Sequence, residues 1–370
     1  MTRKAESLAR PEIVAMKPYS SARTEASAEG ILLNANEMPL TLLSEADRTR
    51  IQSSINRYPE PQPVEIVRRL AEIYDVEPDN LLVTRGSDEG IDLLVRVFCQ
   101  AGQDAILDCP PGFGMYRIAA QTQGANVITA PRNLEQEFRL DVDLVLQRLK
   151  DNHTIKLVFL TSPNNPTGDL IDRADLVRIL RACEGQSLVI LDEAYIEFCP
   201  EKHAVELLDQ FEHLVILRTL SKAWAAAGLR CGTVIAKPEI IGLLRRIIAP
   251  YPLAGPVIDV VNALLEPEKQ AAQQTMITEV LAAKKRLCAF LEKLPYIRNL
   301  WPGEANFVLI RVDAATEFLA YCAKHGVILR GFNTEPLLDG CIRISIGSMG
   351  DIDVLTTVMT EFQERRQNNG

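Results

Sequence analysis

The chain has 370 residues, 47% of them hydrophobic and 24% charged, with a net charge of −9. That length and balance suit one large and one smaller globular domain, each with its own core. The acidic excess argues against a phosphate-backbone binder, whose modules carry a basic face.

No run nears the ~20 apolar residues of a membrane span. Residues 1–16, "MTRKAESLARPEIVAM", lack the continuous apolar core of a secretory signal, so a cytoplasmic location is the expectation. The eight cysteines include no CxxC pair, and the four histidines (His153, His203, His213, His325) form neither HxxxH nor HExxH, so no disulfide framework and no metal site are expected. Neither a GxSxG elbow nor a Walker A lysine loop occurs.

In chain order, residues 1–40 show little periodicity and read as an arm. "PVEIVRRLAEIY" (63–74) places Val64, Val67, Leu70, Ala71 and Tyr74 on one helical face. "SDEGIDLLVRVF" (87–98) opens on a capping serine and two acids, then turns Ile91, Leu94, Val95 and Phe98 inward. Short β-rich runs follow at 105–109, 126–129, 156–160, 188–192, 214–218 and 232–236. Runs this apolar on both alternating faces predict a buried, mainly parallel sheet under helices, an α/β fold. After the proline-rich "APYPLAGP" (249–256), a helical stretch over 257–293 leads to a second α/β segment with "FVLIRV" (307–312), a helix near 314–325 and "CIRISI" (341–346). The predicted division is an arm (1–40) joined to the small domain, a large domain (41–256), a connecting helix (257–293) and a small C-terminal domain (294–370).

In open α/β sheets the working residues lie beyond the carboxyl ends of the strands. That rule selects "TSPNNPTG" (161–168), "DEAY" (192–195) and "TLSK" (219–222), three polar clusters facing one crevice. A lysine there, Lys222, gains from desolvation the nucleophilicity to attack a carbonyl. Asp192 ends a buried strand, where a carboxylate needs a cation or hydrogen bonds; a cap, a salt bridge and a protonated pyridine nitrogen each satisfy it. Tyr195 and Asn165 are placed to donate to an oxygen on the same ring. "TRGSDEG" (84–90), before a helix, suits either simple capping or a phosphate on free backbone N–H groups. Thr219, Ser221 and Arg230 add hydroxyls and a guanidinium for the same anion. Ring, phosphate and aldehyde together describe pyridoxal phosphate.

Asn165-Pro166-x-Gly168, Asp192-x-x-Tyr195, Ser221-Lys222 and Arg230 resemble, in order and spacing, the signature of the fold-type I, class I and II aminotransferases. The resemblance narrows to the histidinol-phosphate aminotransferase family through "NANEMP" (34–39), "NRYPEPQP" (56–63), "TRGSDEGIDLL" (84–94), "LDEAYIEF" (191–198), "RTLSKAWAAAGLRCG" (218–232), "APYPL" (249–253) and "CIRISIG" (341–347). It implies a seven-stranded, mainly parallel large-domain sheet and a homodimer, with Lys222 holding the cofactor covalently. Asp192, Asn165 and Tyr195 then contact the ring, while Ser87, Asp88, Glu89, Thr219, Ser221 and Arg230 surround the phosphate, largely through backbone donors at the helix start, so that the side chains of Asp88 and Glu89 need hold nothing. Tyr58 reaches the other subunit's cofactor. Phe113 stands where relatives often carry a ring-stacking tyrosine, and Trp224 replaces a usual phenylalanine as packing. Arg330, Arg343, Tyr19 and Asn36 are the implied substrate residues. The implied reaction is ping-pong transamination between histidinol phosphate and 2-oxoglutarate. Rivals on the same core are an aromatic amino acid aminotransferase and a threonine-phosphate decarboxylase; a DNA-binding regulator on this fold would carry an added basic domain.

Overall fold

The computed structural model describes residues 10–16, 30–49, 52, 55–332 and 335–369. Seven strands form the central sheet: β1 (Leu81–Thr84), β2 (Ala105–Asp108), β3 (Asn126–Thr129), β4 (Ile155–Thr161), β5 (Leu188–Asp192), β6 (Leu214–Thr219) and β7 (Gly232–Ile235). Their order is β1-β7-β6-β5-β4-β2-β3. From β6 to β3 every pairing is parallel. β7 runs against both of its neighbours, so β1 again points the same way as β6. The carboxyl ends of β1, β4, β5 and β6 therefore open on one edge, as the strand-end rule requires.

Helices cover both faces. One face, with Phe159, Ile190, Val215 and Leu217, packs against Ile91 and Leu94 of α2 (Gly86–Phe98) and Tyr116 and Ala120 of α3 (Met115–Gln123). The other, with Val158, Leu160, Val189 and Ile216, packs on α1 (Val64–Tyr74) and its neighbours. Val158, Phe159 and Leu160 are at most 1% exposed, which explains a strand with no polar alternation; each such side chain contributes about 1.5–3 kcal/mol on burial. α1 buries Ile66, Val67, Leu70, Ala71 and Tyr74. Val64 is exposed, because it sits at the first helical position beyond the edge of the buried stripe.

The expected helix over 257–293 is two helices, α4 (Gly255–Leu264) and α5 (Pro267–Leu291). Pro267 supplies the reason: it has no N–H to continue α4 and suits the first turn of α5. Beyond α5, β8 (Ile297–Trp301), β9 (Phe307–Val312), β10 (Arg330–Gly331) and β11 (Cys341–Ser345) form an antiparallel sheet in the order β10-β11-β9-β8. Ile31–Leu32 pairs in parallel with Val327–Ile328. The segment that begins at Gly30 is thereby tied to the C-terminal part of the chain, and it delivers Asn34, Ala35 and Asn36 to the crevice between the two sheets.

Candidate active site

Lys222 follows β6 in a turn, and its Nζ donates to the Ala35 carbonyl at 3.0 Å. The ammonium also lies 5.6 Å from the centre of the Tyr195 ring, within the range of a cation–π contact. Tyr195 is 4% exposed, and its hydroxyl accepts from Asn36 Nδ2 at 3.0 Å. Asn36 is fixed in turn by β11: its N–H donates to Ser345 Oγ at 2.8 Å, and that hydroxyl donates to Asn36 Oδ1 at 2.9 Å. Strand ends of the large sheet and the edge of the small one thus share a single polar network.

Arg343, on β11, carries the second link. Its Nη1 donates to Asn165 Oδ1 at 2.5 Å and its Nη2 to the Asn34 carbonyl at 2.7 Å. An amide whose oxygen is so held has its nitrogen left to donate elsewhere. Arg330 is the direct antiparallel partner of Arg343. Two like charges in opposed positions repel, so this ladder favours an anion beside it.

Asp192 ends β5 and is 3% exposed. Burial pushes its carboxyl up to about 6, opposed by hydrogen bonds from the Tyr116 hydroxyl (2.7 Å, to Oδ2) and the Ala194 N–H (3.0 Å, to Oδ1). Tyr116 was not among the expected site residues, although it closes the run "PPGFGMY" (110–116) that holds Phe113; its place one helical turn after Phe113 was the available signal. Phe113 itself meets Tyr116 edge-on, 5.7 Å between centroids.

The phosphate-type cluster is assembled at the start of α2. That helix begins at Gly86, with Arg85 before it and no side-chain cap, so Ser87 lies inside the first turn rather than capping it. Backbone N–H groups at such an end have no intrahelical partner. Thr219 Oγ1 donates to Ser221 Oγ at 2.9 Å, Arg230 Nη1 donates to the same Ser221 oxygen at 3.2 Å, and Arg230 Nη2 reaches Asp88 at 3.1 Å. Arg230 holds a left-handed backbone, φ 51°, a conformation costly for a non-glycine and characteristic of functional sites. Gly232 is required for a different reason: a Cβ there would stand 2.6 Å from Ser87 N and from the Gly86 carbonyl carbon. Glu89 takes no part in this cluster; its carboxylate accepts from the Arg85 N–H at 2.7 Å and Nε at 2.9 Å.

Tyr58 is 81% exposed and stacks on Tyr251 at 4.5 Å, apart from the network just described. Tyr19 lies outside the described residues. Trp224 is 2% exposed within the core, in keeping with a packing role. Among the described residues no group of three His, Cys, Asp or Glu is arranged to hold a metal ion, and no helix is long and apolar enough to cross a membrane.

A family model for aminotransferase class I and II matches residues 28–359. The chain belongs to that family. It is 44% identical over 344 residues to the histidinol-phosphate aminotransferase of Pectobacterium carotovorum subsp. carotovorum, spanning 93% of this chain and 94% of that one. To the enzyme of the same name from Aeromonas hydrophila subsp. hydrophila it is 44% identical over 356 residues, 96% and 97% of the two chains. In fold it resembles the histidinol-phosphate aminotransferase of Sinorhizobium meliloti solved in complex with pyridoxal-5'-phosphate, with a TM-score of 0.85 at 20% identity over 97% of this chain and 98% of that one. The fold-type I architecture expected from the motifs is thereby established.

Proposed function

We propose that this aminotransferase moves the amino group of L-histidinol phosphate to 2-oxoglutarate, reversibly giving imidazole acetol phosphate and glutamate in histidine biosynthesis, with pyridoxal phosphate as cofactor. The observation that carries this reading is the pair of successive carbonyls, Asn34 and Ala35, that hold Arg343 and Lys222. Consecutive residues lie about 3.8 Å apart at Cα. An anion-binding fork and a nucleophilic amine therefore sit within the length of one small substrate.

The residues present fit the cofactor. Unpaired N–H groups at the start of α2, the Ser221 hydroxyl and the Arg230 guanidinium suit its phosphate. The buried Asp192 carboxylate suits a protonated ring nitrogen, since a buried charge is tolerated when paired. Tyr195 and the free amide nitrogen of Asn165 are suited to donate to the ring oxygen, and Phe113 to lie against the ring. Glu89 belongs to this reading only through the helix start that it braces.

Pyridoxal phosphate, when bound, supplies an electrophilic aldehyde for amines and a ring that accepts the electron pair left on the substrate carbon after a proton departs. Lys222 Nζ, held beside the Ala35 carbonyl, would be the residue that holds the aldehyde. Its amine would then be the base positioned to take a proton from the amine-bearing carbon and to return it at the former aldehyde carbon. Asp192, buried at the end of β5, would pair with a protonated ring nitrogen. Arg330 and Arg343 hold the phosphate of histidinol phosphate, and in the second half of the cycle Arg343 holds a carboxylate of 2-oxoglutarate. Asn36 and Tyr19 complete the substrate end.

A homodimer belongs to the same reading, with Tyr58 reaching the other subunit's site. The exposed apolar residues Ile55 (82%), Tyr58 (81%) and Val64 (68%) support it. A cytoplasmic location, consistent with eight free cysteines, and the four-part domain division at 40, 256 and 293 belong to the same reading. The test is amine specificity: the protein is given 2-oxoglutarate with histidinol phosphate, phenylalanine or threonine phosphate, and glutamate is measured. Glutamate should form at least about a hundredfold faster from histidinol phosphate, because phenylalanine brings no phosphate to the Arg330–Arg343 pair and threonine phosphate brings no imidazole. Preference for phenylalanine, or carbon dioxide released from threonine phosphate, would overturn the substrate while leaving the family intact.

A further inference from the structure

Asp192 and Thr161 are cross-strand partners at the ends of β5 and β4, so their side chains rise side by side from one face of the sheet. Tyr116 descends on them from α3. Its ring is 2% exposed, stacked on Phe159 at 4.6 Å and 12° and met edge-on by Phe113. This packing leaves the phenol one position, 2.7 Å from Asp192 Oδ2 and 2.8 Å from Thr161 Oγ1.

The direction of the two bonds follows from proton counting. An ionised carboxylate only accepts, so the phenol's single proton goes to Asp192. The Thr161 hydroxyl must then donate to the phenol oxygen. Burial, with the neighbouring Asp192 charge, pushes the phenol well above its ordinary range, so Tyr116 remains a donor at every working pH. A chain of donors of this kind polarises along its length and strengthens the last bond.

We propose that Tyr116 is a positioning residue that acts through Asp192, with Thr161 behind it, to set how firmly the proton stays on the cofactor's ring nitrogen. The proposal rests on the reading above, that Asp192 faces that nitrogen. The Ala194 N–H on Oδ1 and the Tyr116 hydroxyl on Oδ2 fix the carboxylate plane and leave its remaining lone pairs for the ring. The phenol also withdraws charge from the carboxylate and lowers its basicity. Without it Asp192 competes harder for the shared proton, and the ring loses part of its electron-accepting strength.

The decisive experiment loads the full-length protein with pyridoxal phosphate labelled with nitrogen-15 in the ring and records the ring-nitrogen shift of wild type, Tyr116→Phe, Thr161→Val and Thr161→Ser. Phenylalanine keeps the stacking on Phe159 and removes one oxygen. Wild type and Thr161→Ser should show the protonated ring nitrogen. Tyr116→Phe should move toward the neutral-pyridine position, and Thr161→Val should move the same way by less. In parallel, kcat of Tyr116→Phe should fall about tenfold, the worth of one hydrogen bond to a charged group, with KM for 2-oxoglutarate within about twofold. A Tyr116→Phe ring-nitrogen shift equal to wild type, with cofactor bound, overturns the role of Tyr116. A wild-type protein whose ring nitrogen is already neutral overturns the Asp192 pairing instead, so the two failures are distinguishable. Should Tyr116→Phe not fold, Thr161→Val decides: an unchanged shift there refutes the chain of donors.

Discussion

Glu197 offers a sharp test of the packing on the far side of the sheet from Asp192. It lies in the turn Ile196–Phe198, and neither carboxylate oxygen has a side-chain hydrogen-bond partner; Trp224 Nε1, which lines the same cleft of about 900 Å³, also lacks one. Burial pushes the Glu197 carboxyl from an ordinary 4.5 up to about 7, against the attraction of Arg218. The nearby guanidinium is already committed to Glu193, at 2.7 Å. Because the folded state binds this proton more tightly than the unfolded chain does, stability is complete below about pH 4.5 and declines as pH rises through 7. At full ionisation the cost is roughly 3 kcal/mol, reduced toward 1 by water in the adjoining cleft. Glu197→Gln removes the charge. Urea unfolding of the cofactor-saturated protein at pH 5 and pH 8 should show the variant near wild type at the first and about 1–3 kcal/mol more stable at the second. A stability difference that stays constant between the two pH values would refute the buried, unpaired carboxylate.

Three further outcomes follow from the crevice. Lys222→Ala should lower turnover by at least about 10⁴-fold through loss of the proton-transfer group, while circular dichroism stays native; measurable transamination at a hundredth of the wild-type rate would move the chemistry to another residue. Arg343→Gln should lower kcat/KM for both histidinol phosphate and 2-oxoglutarate by about 10- to 150-fold, the worth of charge-assisted hydrogen bonds to an anion; a loss confined to one substrate would mean that the site is not shared. Gly232→Ala should weaken cofactor retention by at least about tenfold, since the added carbon meets backbone at 2.6 Å and must displace the start of α2. Equilibrium dialysis against pyridoxal phosphate measures that displacement directly.

Much of this arrangement was legible in the sequence because burial on both faces leaves an unmistakable run of Val, Ile and Leu, as at 156–160 and 214–218. β1 escaped because its four residues (Leu81–Thr84) pass at once into a glycine turn and a helix. The break before Pro267 was readable from that proline alone, yet helical periodicity on both sides concealed it. Lys222, Asp192 and Asn165 were selected by a rule about strand ends, which needs no knowledge of register. Tyr116 needed register: an aromatic at helical spacing reads as core, and it is core apart from one oxygen aimed between two strand ends. The opposition of Arg330 and Arg343 was hidden for the same reason, since only the antiparallel pairing of β10 with β11 makes them neighbours. Glu89 is a polar residue inside a motif whose side chain braces the local helix start.

Everything proposed for the crevice depends on Lys222 being the residue that holds the cofactor. Borohydride treatment of the purified, pyridoxal phosphate-loaded protein, followed by proteolysis and mass spectrometry, tests this most directly. The phosphopyridoxyl mass should fall on the peptide containing Lys222 at about one per chain, and prior incubation with histidinol phosphate should prevent the labelling. A label on any other lysine, or a label that histidinol phosphate leaves undiminished, would contradict the assignment.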